Sequence, residues 1–213
     1  MSTEKQSGKP PQNLHLNRFA QLAKLGEFVF HARDLANLWH IQNLNTLYTT
    51  LRRYAKQKLL FRIYKGFYAL KPVGELNPFL LGVKALHEYA YVSCETILVQ
   101  EGILQQRIES ITLVSSQTKR FSIGDYSYLS RKLADQFLYN PFGVGEEDGI
   151  RKATLERAAA DLLYFNPRAY LDAGNSHSID WRRVKQIQQQ IGYSLTPERY
   201  RFYDSPLSKR RAS

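Results

Sequence analysis

Ten side chains between residues 42 and 65 have the types and spacing to hold a polyanion and read a patterned edge: Gln42, Asn43, Asn45, Thr46, Thr49, Arg52, Arg53, Lys56, Arg62 and Lys65. At about 100° per residue, Gln42, Asn45, Thr46, Thr49, Arg52, Arg53 and Lys56 share one side of a helix over residues 41–56. Leu44, Leu47, Leu51 and Ala55 recur at the spacing of an apolar stripe on the other side. Amides and hydroxyls gather toward the N-terminal end of the polar side and cations toward its C-terminal end. A helix entering the major groove of DNA uses the first kind to meet base edges and the second to hold phosphates. The other reading of the same pattern is the solvated face of an ordinary helix.

The flanking segments decide what could position that face. Residues 59–70 alternate Leu60, Arg62 and Tyr64 against Phe61 and Ile63 around Lys65-Gly66, which predicts a β-hairpin carrying Arg62 and Lys65 as a basic wing. Upstream, Leu14, Phe19, Leu22, Ala23 and Leu25 predict a helix over residues 14–25 that Gly26 stops. Residues 28–30 suit a short strand. Ala32 begins a compact helix that faces Leu35, Leu38 and Trp39 inward. Helix, helix pair and basic hairpin in this order predict a winged helix-turn-helix domain over residues 14–70.

Charge is placed to match. The chain of 213 residues carries a net +11, with 43% hydrophobic and 13% aromatic residues, ample for a buried core. Residues 1–75 hold twelve Lys/Arg against four Asp/Glu, residues 76–178 ten against twelve, and residues 179–213 eight against three. A polyanion partner is expected for the first segment and not for the middle one. Residues 1–13 read as a flexible arm and residues 205–213, with Lys209, Arg210 and Arg211, as a disordered basic tail. The single cysteine, Cys94, excludes an intramolecular disulfide framework and suits a reducing cytosol as a small buried thiol. With no leader pattern and no apolar run of about 20 residues, a cytoplasmic protein away from the membrane is expected.

After a linker at residues 71–78, residues 79–204 predict a second, mixed α/β domain, so the fold class is α+β. Asn77-Pro78 reads as a helix start, with a helix over residues 79–89 and another after Ser93 that ends at Gly102. Residues 110–115, 119–124 and 125–130 alternate as strands do. Residues 142–149 read as an acidic, glycine-bearing loop, with a short strand at 150–153. Residues 154–165 and 180–191 are helical in spacing. Catalytic sets are missing from this half. The histidines are scattered, no phosphate-binding glycine loop is present, and no lysine has a carboxylate two positions before it, as a nuclease-like Mg²⁺ site would want. Neither a cofactor nor a metal is expected.

Several stretches resemble the AbiEi antitoxins. In the first half these are Arg33-Asp-Leu-Ala-Asn-Leu38, the helix end at Leu51-Arg-Arg-Tyr-Ala-Lys56, and Arg62, Lys65, Gly66 and Tyr68 in the hairpin. In the second half they are Tyr91-Val-Ser-Cys-Glu-Thr-Ile-Leu98 with Gly102, and Thr154-Leu-Glu-Arg-Ala-Ala-Ala-Asp-Leu-Leu163. The resemblance covers about residues 14–165 and departs from the family at Cys94, the Ala158-Ala-Ala160 run and the C-terminal region. It implies an antitoxin that binds inverted repeats in double-stranded DNA and represses its own operon; paired half-sites of that kind would suit a homodimer on the DNA. It further implies a second domain that counters a nucleotidyltransferase-type toxin without needing a stable complex, with Glu156 and Asp161 at family positions. Helical spacing leaves both of those carboxylates open to a structural role. Two alternatives stand beside this reading: a stand-alone regulator whose second domain senses a ligand or dimerises, and a Mg²⁺-dependent nuclease-like enzyme.

Overall fold

The computed structural model describes residues 12–105, 107–169, 171 and 178–195. The expected tail at residues 205–213 lies outside them, as does the expected arm except at residues 12 and 13, which are helical. The chain is α+β and divides into two compact units, Met1–Val73 and Gly74–Ser213.

The first unit runs α1 (Gln12–Leu25), β1 (Val29–His31), α2 (Ala32–Leu38), α3 (Leu44–Lys56), β2 (Phe61–Tyr64) and β3 (Phe67–Ala69). Gly26, at φ 66°, closes α1. Asn43 starts α3, its Oδ1 accepting the Asn45 and Thr46 amides at 2.9 and 3.2 Å. The three strands form an antiparallel sheet in the order β1-β3-β2, with Gly66 at φ 88° in the turn between β2 and β3. Leu22, Phe30, Leu35, Leu47, Leu51, Tyr54 and Leu60 are among the residues that fill the core. Tyr54 is its hub: the ring meets His15, Phe19 and Trp39 edge-on, and its hydroxyl pairs with His15 Nδ1 at 2.7 Å.

Two expected stripes are corrected here. Leu44 is 57% exposed, and α3 turns Leu47, Leu51 and Tyr54 inward instead. Leu25 and Ala23 are exposed on α1, where His15, Phe19 and Leu22 face the core. On α3, counting only aliphatic side chains misses Tyr54, whose buried ring shifts the inward face toward it.

The second unit runs α4 (Pro78–Ala85), β4 (Ala90–Val92), α5 (Glu95–Gln100), β5 (Ile111–Ser115), β6 (Lys119–Ile123), β7 (Tyr126–Lys132), α6 (Asp135–Leu138), β8 (Val144–Glu147), β9 (Ile150–Ala153), α7 (Leu155–Phe165) and α8 (Trp181–Ile191). Its sheet has the order β6-β7-β5-β4-β9-β8 and is mixed, with β4 parallel to β9 and β5 parallel to β7. Alternation along β5 sends Leu113 toward Gly82 of α4 and Thr112 toward Glu95 of α5, so these helices cover opposite faces. α7 packs against α5, β9 and α8.

Three expectations change in this unit. Residues 142–149 are not simply a loop: Val144–Glu147 pairs antiparallel with β9 around Asp148 and Gly149, both at positive φ. The helix after residue 77 stops at Ala85, and Ala90–Val92 is a strand. Cys94, at φ 54° and ψ −133°, precedes α5 without a side-chain cap, while Ser93 turns its hydroxyl to Asp161. Among the described residues no helix is long and apolar enough to cross a membrane.

Candidate functional site

With Leu47, Leu51 and Tyr54 buried, the rotation of α3 is fixed and its opposite side is set outward. Gln42, Asn43, Asn45, Thr46, Thr49, Arg52, Arg53 and Lys56 are all exposed. Asn43 has its side-chain oxygen engaged as the cap of α3, which leaves its outward chemistry that of an amide donor. Thr49 donates its hydroxyl to the Asn45 carbonyl at 2.8 Å, which leaves it the outward chemistry of an acceptor. Asn45 and Gln42 keep amides that both donate and accept. Between Asp34 and Glu75 the sequence contains no carboxylate, so the cations of this stretch meet none from its own residues.

On the hairpin, Arg62 and Lys65 are exposed as well. Burial pushes the Tyr68 hydroxyl above its usual range; nearby Arg62 pulls it back and Tyr48 adds to the rise. Arg62 of the hairpin and Tyr48 of α3 therefore both lie within electrostatic reach of this one hydroxyl. Tyr48, 38% exposed, and Leu44, 57% exposed, border the polar face and were missed as surface residues. Lys58 extends the run of cations past α3 in a left-handed conformation at φ 57°. Its signal in the sequence was the spacing Arg52, Arg53, Lys56, Lys58.

The second unit holds a different kind of site, closed to solvent. Arg157 and Asp161, one turn apart on α7, are both 0% exposed and pair through Nε and Oδ1 at 2.9 Å. The same oxygen accepts the Tyr193 hydroxyl at 2.8 Å. Oδ2 accepts the Ser93 and Tyr91 hydroxyls at 2.7 and 3.0 Å. Arg157 also donates to the Tyr91 hydroxyl and to the carbonyls of Asn140 and Phe142. Burial, then the neighbouring Asp161, raises the Tyr91 and Tyr193 hydroxyls far above their ordinary range. The same two causes raise the Cys94 thiol, which removes it as a ready thiolate nucleophile.

This cluster corrects one expectation. Asp161 faces inward, into a network that uses both its oxygens, so it cannot touch a partner. Glu156 is half-exposed in the first turn of α7, where a carboxylate favours the helix dipole. The structure does not bring the two together. α7 is buried almost all round, from Arg157 through Leu163. The Ala158-Ala-Ala160 run was the sequence signal, because small residues permit close approach on every side. Among the described residues, no three His, Cys, Asp or Glu side chains gather as metal ligands would.

No protein-family model and no curated protein matches the sequence. Among solved structures the chain is similar to the crystal structure of RV2827C protein from Mycobacterium tuberculosis, with a TM-score of 0.48 and 12% identity over 86% of this chain and 73% of that one.

Proposed function

We propose that this protein is a non-enzymatic DNA-binding antitoxin that represses its own operon through the first unit and counters a nucleotidyltransferase-type toxin through the second. The observation that carries the DNA-binding part is the outward face of α3: amide and hydroxyl groups, then cations, on a helix rotationally fixed by Leu47, Leu51 and Tyr54. Its setting supports the reading. Helix, strand, helix, helix and hairpin in that order suit a winged helix-turn-helix, in which α3 lies in the major groove and Arg62 and Lys65 of the hairpin hold adjacent phosphates. The absence of carboxylates between Asp34 and Glu75 favours a polyanion. The antitoxin part rests on the resemblance of residues 91–98 and 154–163 to the AbiEi antitoxins.

Two measurements test the two parts. Binding of the full chain to the duplex upstream of its gene, followed across salt concentration, should be salt-dependent, and Arg53→Ala should flatten the log K against log salt slope by about one unit. An unchanged slope would remove α3 from the interface. Co-expression with a toxin encoded beside it should restore growth, including when Arg52 and Arg53 are both replaced so that repression is lost. Rescue that disappears with DNA binding would reduce the antitoxin activity to repression alone.

A further inference from the structure

We infer that the outward face of α8 is a second contact surface for the phosphate backbone of double-stranded DNA, carried by the other unit and separate from α3. α8 buries Trp181, Val184, Ile187, Gln188 and Ile191. At about 100° per residue the opposite side carries Arg182, Arg183, Lys185, Gln186, Gln189 and Gln190, all exposed. Like the α3 face it combines cations with amides, here with the cations first and the amides after, and the helix contains no carboxylate.

Ion pairing along the helix does not account for this composition. A solvated face ordinarily mixes charges, so that opposite signs three or four residues apart stabilise the helix; no such ion pair can form within α8. Arg182 and Arg183 also occupy the first turn, where the positive end of the helix dipole disfavours cations. Asp180 caps that turn, accepting the Arg182 and Arg183 amides at 3.0 and 3.1 Å, and offsets one charge of the three. Arg183 is held in place: its guanidinium lies over the Phe142 ring at 4.7 Å and donates to Gln186 at 2.7 Å. A planar cation braced at the surface is preorganised for a phosphate oxygen. Across the described residues 179–195 the charged side chains are Arg182, Arg183 and Lys185 against Asp180 alone, so the segment itself is net positive. That the polyanion is duplex DNA rests on the function proposed above.

The test uses the full chain and two triple variants, Arg182→Gln/Arg183→Gln/Lys185→Gln on α8 and Arg52→Gln/Arg53→Gln/Lys56→Gln on α3. Binding to the upstream duplex and to a scrambled duplex is followed by anisotropy from roughly 50 to 300 mM salt. The α8 variant should bind both duplexes at least about tenfold more weakly at low salt, with a slope flatter by about two to three units. Its thermal midpoint without DNA should be no lower than that of the wild type, because cations have left the positive end of a helix. Unchanged affinity and slope overturn the inference. If the triple variant melts early, Lys185→Gln alone decides: a flatter slope by about one supports the surface, and the wild-type slope overturns it. A single-stranded RNA that displaces the duplex at a lower concentration than a second duplex does would also overturn it. Loss in the α8 variant with none in the α3 variant would leave this surface standing and remove the function assigned to α3.

Discussion

Asp161→Ala should strongly destabilise the second unit while leaving the stability of the first unchanged. The substitution strands the Arg157 guanidinium in the interior with only the Asn140 and Phe142 carbonyls and the Tyr91 hydroxyl, and leaves three hydroxyls (Tyr91, Ser93, Tyr193) without their acceptor. Removing one partner of a buried ion pair costs about 3–5 kcal/mol. Each hydroxyl left unsatisfied costs about 1–3 kcal/mol more, although losses within one network do not simply add. A total of at least about 4 kcal/mol is a large share of the roughly 5–15 kcal/mol that holds a domain together. Asp161→Asn keeps the shape and one acceptor, and should lose about half as much. The assay is built into the chain, whose two tryptophans divide between the units, Trp39 in the first and Trp181 in the second. Urea unfolding in a Trp39→Phe background reports the second unit, and in a Trp181→Phe background the first. A second-unit stability within about 1 kcal/mol of the parent would refute the reasoning, because a fully used buried network cannot lose its central acceptor at so small a cost.

Three further outcomes follow from particular contacts. Asn43→Ala should destabilise the first unit by about 0.5–2 kcal/mol, read in urea through Trp39, since it removes the cap of α3 and no charge. Gly82→Ala should cost about 1–3 kcal/mol in the second unit, because the added methyl would sit 2.5 Å from the Tyr128 ring, and the Trp181 signal would show it. Alkaline pH should destabilise the second unit. The folded-state values of Tyr91, Tyr193 and Cys94 lie above the ordinary 10.0, 10.0 and 9.0, so their contribution is full below those values and is lost as pH rises past them. Unfolding midpoints measured from about pH 8 to 11 should therefore fall, and Tyr193→Phe should lessen the slope.

Local signals carried the first unit well and the second unevenly. The Asn77-Pro78 start and the turn at Gly66 were legible because each depends on a few adjacent residues with one physical role. The face of α3 was legible in its polar half, where every charged or amide side chain from Asn45 to Lys56 is exposed. Its apolar half was shifted, because Tyr54 carries a hydroxyl that looks polar in sequence and is satisfied by His15 across the core. In the second unit the parallel pairing of β4 with β9 joins segments far apart and that of β5 with β7 passes over the intervening β6, and no local pattern encodes either. The strand at Val144–Glu147 was hidden because its side chains are mostly exposed, and a strand at a sheet edge needs no apolar alternation. Helical spacing left the role of Asp161 open and gave no signal for its pairing with Arg157 inside the protein. Only the tertiary fold brings Tyr91, Ser93 and Tyr193 to them.

The claim that α3 reads DNA is tested most directly by one ratio, the affinity for the upstream duplex over that for a scrambled duplex, measured for the wild type and for Asn45→Ala. Asn45 is exposed on the N-terminal part of α3, where a recognition helix meets base edges, and its amide can donate and accept at once. The account predicts that Asn45→Ala loses about 1–3 kcal/mol of discrimination while binding to the scrambled duplex stays nearly unchanged. An equal loss on both duplexes, or no loss on either, would contradict it.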